Sequence, residues 1–379
     1  MRLSLISAAL VAALVGYGST IALVLAAAAA VGATPAQTAS WVFAICLAKA
    51  AGAAYLSWWH RMPVILAWST PGAALIAAST GHSMAGAVGA FILVGGLILL
   101  TGLIGPLGRV IGLIPRAIAA AMLGGILLPF CLEMPQQASA LPGVVTPIIA
   151  VFVVVRLWNP AFAVLLALAT GMALSLGSGL PDAAYTLPHL VFIAPVFDLH
   201  SLIGLGLPLF LVTMAGQNLP GFAILQTAGY TPPVRPALIV TGVLSAISAL
   251  FGAHTINMAA ITAAICLGED VHPDRAQRWK VGLFYAVFWV LLGLAGPLIL
   301  ALLTVLPHQV MATVAGLALI NPLIGALSAA FADPADRFAA AGTLIVTASG
   351  AAFGGIGAAF WGLCVGLILY AIERVTRRP

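Results

Sequence analysis

The stretch Met62-Pro-Val-Ile-Leu-Ala-Trp-Ser-Thr-Pro-Gly-Ala-Ala-Leu-Ile-Ala-Ala78 decides how the chain is read, because it cannot be a plain membrane-spanning helix. A span needs about 20 apolar residues in unbroken helix. Here Pro63 opens an extended apolar run, and Pro71 with Gly72 interrupts it midway. The spacing predicts an extended first half and a short helix from Pro71 to Ala78, with proline at the first helical position and Ser69 or Thr70 as cap. The N-terminus of that half-helix then falls near the bilayer midplane. Irregular backbone is tolerated at that depth only where protein buries it or it lines a cavity. Such an end presents unpaired N–H groups and a partial positive charge, which attract anions.

A second copy follows. Gly252-Ala-His-Thr-Ile-Asn-Met-Ala-Ala-Ile-Thr-Ala-Ala-Ile-Cys-Leu-Gly268 is again too short to span as helix, and Ala259-Ala-Ile-Thr-Ala-Ala264 lines up with Ala73-Ala-Leu-Ile-Ala-Ala78. Short interrupted segments in corresponding halves point to the binding site of a transporter.

Composition agrees with that setting. The chain is 63% hydrophobic and 6% charged, which excludes a soluble domain and indicates a polytopic membrane protein. The net charge of +5 does not mark a nucleic-acid partner, because the basic residues fall in short loops and at the termini. Cys46, Cys131, Cys266 and Cys364 lie in or at the ends of apolar segments without metal-like spacing, so neither a disulfide nor a metal is expected. No P-loop, HExxH or GxSxG is present, and no cofactor is implied.

Apolar blocks give about fourteen segments: 3–31, 35–58, 63–78, 82–104, 115–130, 147–158 and 161–180, then 201–219, 236–251, 254–267, 281–306, 309–331, 338–352 and 357–372. A polar stretch with Pro181, Asp182, Pro188 and Asp198 separates the halves. Threading this count from an inside N-terminus puts Arg2, Arg61, Arg109, Arg116, Arg156, Arg235, Arg275, Arg278, Lys280, Arg337, Arg374, Arg377 and Arg378 on one face, which supports cytoplasmic termini. Lys49 alone is left inside a span. Gly32 to Pro35 resembles Gly229 to Pro232, Pro115 to Gly124 resembles Pro307 to Gly316, and Ala161-Phe162 resembles Ala359-Phe360, all in the same order. The expected fold is therefore an all-α polytopic membrane protein of about 14 transmembrane segments in a 7+7 inverted repeat, with half-helices preceded by short extended strands in segments 3 and 10.

At Met62 to Ala74, at Gly216-Gln-Asn-Leu-Pro-Gly221, and at Asn257 to Cys266 followed by His272-Pro-Asp274 and Arg278-Trp279, the full chain resembles the benzoate:proton symporters of bacterial inner membranes. That family is similar in fold to the nucleobase and sulfate-type carriers. The resemblance implies a core domain of residues 1–104 and 181–306, a gate domain of residues 105–180 and 307–379, elevator-like motion between them, and homodimers in many relatives. It implies benzoate or a similar aromatic carboxylate carried with a proton. Nucleobase relatives carry glutamates in segments 8 and 10, where this chain has Gln217, Asn218, His254 and Asn257, and a carboxylate there would repel an anion. Open alternatives are a carrier for another small anion or a nucleobase, and a channel-like anion pathway. A membrane enzyme ranks below them, for want of a metal-ligand cluster or a midplane carboxylate pair.

The candidate substrate residues follow. Ser69, Thr70, Pro71 and Gly72 form the first half-helix tip. His254, Thr255 and Asn257 precede the second. All serve either as caps or as ligands of an acid that is ionised at neutral pH, like any carboxyl with a pKa near 4. His254 is the expected proton carrier, or else a structural histidine donating to a carbonyl. Gln217 and Asn218 face the interior, for substrate or for interhelical hydrogen bonds. Tyr17 and Trp68 offer rings to an aromatic substrate, or simply pack. Lys49 pairs with substrate or with backbone carbonyls, or snorkels; the structural outcomes are preferred. Arg275, Arg278 and Lys280 are read as topology-setting. Gly95, Gly96, Gly124, Gly125, Gly354, Gly355 and Gly357 are read as close-packing positions.

Overall fold

Pro63 and Pro71 act as the sequence suggests. The chain runs extended from Pro63, forms strand β1 at Leu66–Trp68, and turns into the half-helix α4 at Thr70–Ala77. Its counterpart is strand β2 at Ile256–Met258 followed by α11 at Ile261–Leu267. The strands pair antiparallel, Leu66 with Met258, Ala67 with Asn257 and Trp68 with Ile256. Each strand thus gives the other's backbone the partners that lipid cannot supply.

The structure, a computed structural model, describes residues 3–104, 115–160, 162–175, 187–259, 261–304, 306–353 and 356–376. Arg2, Arg109, Ala161, Pro181, Asp182, Gly354, Gly355, Arg377 and Arg378 lie outside the described residues.

Ahead of the first half-helix, α1 (Leu3–Gly18) and α2 (Ile21–Ala30) form one apolar run broken at Ser19 and Thr20. Helix α3 (Pro35–His60) starts in a capping box between Thr34 and Gln37. Helix α5 (Met84–Leu103) is capped by Ser83. Next come α6 (Arg116–Ala140), α7 (Pro142–Trp158) and α8 (Ala163–Ser175). Helix α6 runs ten residues past the expected end of its segment at Phe130, through Pro129 and Pro135. Residues 187–198 cross in extended form, tied by Val191 N–H to Ser40 Oγ (2.8 Å), Ile193 N–H to Leu250 O (2.8 Å) and Val196 N–H to Ala85 O (3.0 Å).

Helix α9 (Leu199–Thr227) contains wide π-type turns at Leu202–Gly206 and Met214–Asn218. Pro208 and Pro220 follow directly. A proline ring clashes with the carbonyl four residues back, and widening the turn relieves it. Then come α10 (Val234–Ala249), α12 (Lys280–Leu294), α13 (Gly296–Thr304), α14 (His308–Ala330), α15 (Arg337–Ala348) and α16 (Ala358–Thr376). The expected single segment 281–306 is instead two helices bent by 57° at Ala295. Seven described helices are long and apolar enough to cross a membrane, or eight if the bent pair counts as one.

The helices pack in two groups. In one, α5 lies along α10, α3 along α12, and α1 against α11 and α12. In the other, α6 lies along α14 and α15, α15 against α16, and α7 against α8. The groups meet where α4 and the middle of α9 touch α6, α2 touches α14, and α1 touches α8. In lipid no hydrophobic force separates helix from solvent, so close approach of small residues does the holding. At the α5–α10 crossing a Cβ on Gly95 would meet the Ala246 backbone, and one on Gly242 would meet Leu99 N and Gly95 O. Gly124 and Gly125 sit close against Leu327, Leu344 and Thr347, whereas Gly96 and Gly357 have no neighbour within 4 Å. The close-packing reading therefore fails for those last two.

Candidate functional site

Antiparallel pairing brings the start of β2 beside the end of β1, and a buried polar knot forms there. Ser69 Oγ caps α4 by accepting Gly72 N–H (3.0 Å), and Ser69 N–H donates to Thr255 O (3.1 Å). Thr213 of α9 donates to Ser69 Oγ (3.1 Å) and lies 3.0 Å from Thr255 Oγ1. Trp41 Nε1–H donates to His254 Nδ1 (2.9 Å), so Nδ1 is an acceptor and the proton sits on Nε2, which faces Ser69 O at 3.2 Å. Asn218 Oδ1 accepts Met258 N–H (3.0 Å) at the outer edge of β2. Ser69, Asn218, His254, Thr255 and Asn257 are all completely buried.

Across β1 from this knot lies a cavity of about 130 Å³, between the two helix groups. Thr20, Lys49, Trp68, Thr70, Gln217, Thr262 and Tyr285 line it from one group, and Pro160, Val164, Asn321 and Pro322 from the other. The α1–α2 break has a purpose here: Thr20 Oγ1 donates to Gly16 O (2.8 Å) and accepts Trp68 Nε1–H, which fixes the indole at the cavity wall. Tyr285 OH donates to Leu66 O (2.8 Å). Tyr17 stands behind, its ring centroid 5.6 Å from that of Trp68 and 5.8 Å from that of Trp289. Lys49 reaches into this aromatic box, with Nζ 3.0 Å from the ring centroid of Trp289 and 4.4 Å from that of Trp68. A cavity of about 150 Å³ is enough to hold benzene. An amine that can carry a positive charge, aromatic faces, hydroxyls and amides suit a small anion with an apolar body.

The expected site residues divide accordingly. Trp68, Thr70 and Gln217 line the cavity; Tyr17 backs it; Ser69, Asn218 and Thr255 build the knot that holds the strands, and Asn257 is buried in β2 opposite Ala67. Pro71 and Gly72 begin α4, and a Cβ on Gly72 would meet Leu209 and Ser69 Oγ, so the glycine admits α9.

The placement of His254 at the tip of the second half-helix is corrected. The strands make Leu66 equivalent to Ile256, which puts Ala259, not Thr255, in the place of Ser69. The alanine match had slipped by four positions, close to one helical turn. His254 lies instead against the tip of the first half-helix and does not line the cavity.

Sequence reasoning missed Thr20, Tyr285 and Asn321, and preferred a structural role for Lys49. A signal for Lys49 existed. It is eleven residues from the end of α3, about 16 Å at 1.5 Å per residue, too far for its stem to snorkel. Arg278 also does more than set topology. Buried, it donates to Leu267 O (2.9 Å) and His272 O (2.6 Å), placing a cation at the C-terminus of α11, where the helix dipole favours it.

The sequence model of the benzoate membrane transport protein family matches residues 1–372. The chain is 39% identical to "Inner membrane protein YdcO" of Escherichia coli over 96% of its own length and 94% of that protein. It is 33% identical to the "Benzoate membrane transport protein" of Acinetobacter baylyi, over 98% of its length and 95% of the relative. Among solved structures it resembles SLC26A9 (TM-score 0.66, 14% identity, 98% of this chain and 66% of that one) and the transmembrane domain of the cyanobacterial bicarbonate transporter BicA (TM-score 0.57, 15% identity, 99% and 98%). At those identities the likeness concerns the fold alone.

Proposed function

The chain belongs to the benzoate membrane transport protein family, and from that premise we propose that it imports benzoate or a closely similar aromatic carboxylate together with a proton. The observation that carries this reading is the cavity itself. It is of benzene size, set between two helix groups, and presents Lys49 beside the Trp68 indole. The substrate ring lies against Trp68, and its carboxylate meets Lys49, Thr70 and Gln217.

Movement follows from the same placement. Residues 1–104 with 181–306 act as a core that carries the cavity past a gate of 105–180 and 307–379. The separate packing of the two groups supports this, as does the cavity's position at their junction. The seven-plus-seven inverted repeat is supported by the antiparallel pairing of β1 with β2, by the pairing of α6 with α14, which joins segments 5 and 12, and by the contacts of α3 with α12 (segments 2 and 11) and of α5 with α10 (segments 4 and 9), which the repeat exchanges with each other. The termini face the cytoplasm of a bacterial cell whose inner membrane holds the protein, and copies pair through their gate domains.

The test is exchange of radiolabelled benzoate across proteoliposomes preloaded with unlabelled benzoate. Competition by aromatic acids, with none from uracil, sulfate or the neutral analogue benzamide, is expected. Competition by uracil or sulfate as strong as by benzoate would move the substrate elsewhere.

A further inference from the structure

We infer that Lys49 is both the counter-ion of the substrate carboxylate and the group that takes up the coupled proton, an assignment that rests on the transport reading above. Lys49 is 1% exposed. Its Nζ donates no hydrogen bond and has no ion-pair partner among the described residues, and it lines the cavity over the faces of Trp289 and Trp68. No described residue of α1, α2, α10, α11, α12, α13 or either strand is an Asp or Glu. The titratable groups around it are Cys46 on its own helix, Tyr17 of α1, Tyr285 of α12 and His254 ahead of β2; Arg235 and Lys280 stand in the first turns of α10 and α12. At their ordinary values neither the thiol nor the phenols are anionic at neutral pH. No anion among the described residues therefore matches Lys49, and the substrate carboxylate is the one that does.

A buried ammonium is costly alone, and so is a buried carboxylate; paired, they satisfy each other. Binding of the acid and protonation of Nζ are thus linked, each favouring the other. The step is a plain proton transfer. Nζ accepts a proton on its lone pair as the carboxylate enters from outside, and gives it back to water when the carboxylate leaves inside. The loaded cavity holds one positive and one negative charge and the returning cavity holds neither, so neither crossing moves net charge. The indole faces stabilise the ammonium form while the substrate arrives. His254 is poorly placed for the same task, because both its ring nitrogens are already bonded.

The test measures proton uptake on benzoate binding, with the purified full chain in weakly buffered detergent near pH 7.5, an indicator dye, and radiolabelled benzoate to count bound ligand. The wild type is expected to take up a proton for each benzoate bound. Lys49→Arg keeps a positive charge that does not titrate in this range; it should bind and exchange benzoate, take up no proton, and lose proton-driven accumulation. Lys49→Gln should bind roughly tenfold to a hundredfold more weakly. Proton uptake that persists in Lys49→Arg, or unchanged affinity in Lys49→Gln, would overturn the assignment alone. So would a wild type that binds benzoate without taking up a proton, whether or not the variants fold. A wild type that binds no aromatic acid would overturn the transport reading and this assignment together.

Discussion

His254 Nε2 faces the carbonyl oxygen of Ser69 across the strand pair at 3.2 Å, locking the break after β1 to the residues ahead of β2. With Trp41 holding the other ring nitrogen, the imidazole is neutral and fully bonded. His254→Gln is expected to lower stability by about 1–3 kcal/mol, the cost of leaving buried partners unmatched, and to leave proton coupling intact. Thermal unfolding in detergent and benzoate-driven proton movement read the two effects separately. Loss of coupling at unchanged stability would restore His254 as the proton carrier.

Ser69 is the hub on the other side. Ser69→Ala removes the cap on Gly72 N–H and the acceptor for Thr213, for about 1 kcal/mol. Because Ser69 does not line the cavity, the variant should melt earlier while its benzoate affinity changes less than threefold, about 0.7 kcal/mol. A larger change in affinity would mean that Ser69 itself touches the substrate.

Trp68 is the expected platform for the substrate ring. Trp68→Ala should raise the half-saturating benzoate concentration about tenfold, as losing an aromatic contact worth about 1.4 kcal/mol would do. Trp68→Phe should recover most of it. Equal behaviour of the two variants in the exchange assay would remove the ring from the binding site.

At the α5–α10 crossing, backbone atoms of Leu99 and Gly95 occupy the space a side chain on Gly242 would need. Gly242→Leu is expected to cost about 1–3 kcal/mol or more through overpacking and to lower the yield of monodisperse protein. Gly96→Leu, with open space beside it, should not. Similar yields would contradict the packing.

Outside the spans, Asp198 caps α9 with Oδ1 accepting Ser201 N–H (2.7 Å). That bond holds its carboxyl below the ordinary carboxylate value. A depressed pKa contributes stability above the unfolded value of about 3.9, and the contribution is lost as pH falls through the folded value. The melting advantage of the wild type over Asp198→Asn should thus be present at pH 6 and shrink below about pH 4. A difference that does not change with pH would assign the cap no charge contribution.

The half-helix architecture was legible because Pro63, Pro71 and Gly72 act locally, through fixed φ and missing donors. The cavity was not, since Thr20, Lys49, Trp68, Gln217 and Tyr285 come from separate parts of the chain that only tertiary packing brings together. His254 was misplaced for a related reason. Alanine repeats match each other in any register, so they could not fix the second half-helix, whereas the bounds of the strands and half-helices do. Lys49 was undervalued because one lysine in an apolar helix carries no sign of which face will be enclosed.

The most direct test of proton-coupled import is benzoate accumulation in proteoliposomes with an imposed inward proton gradient, read as the excess over protein-free vesicles because the neutral acid itself permeates. The account predicts saturable accumulation that collapses with a protonophore and is insensitive to a superimposed membrane potential. Uptake no greater than in protein-free vesicles, or uptake that a protonophore leaves untouched, would contradict it.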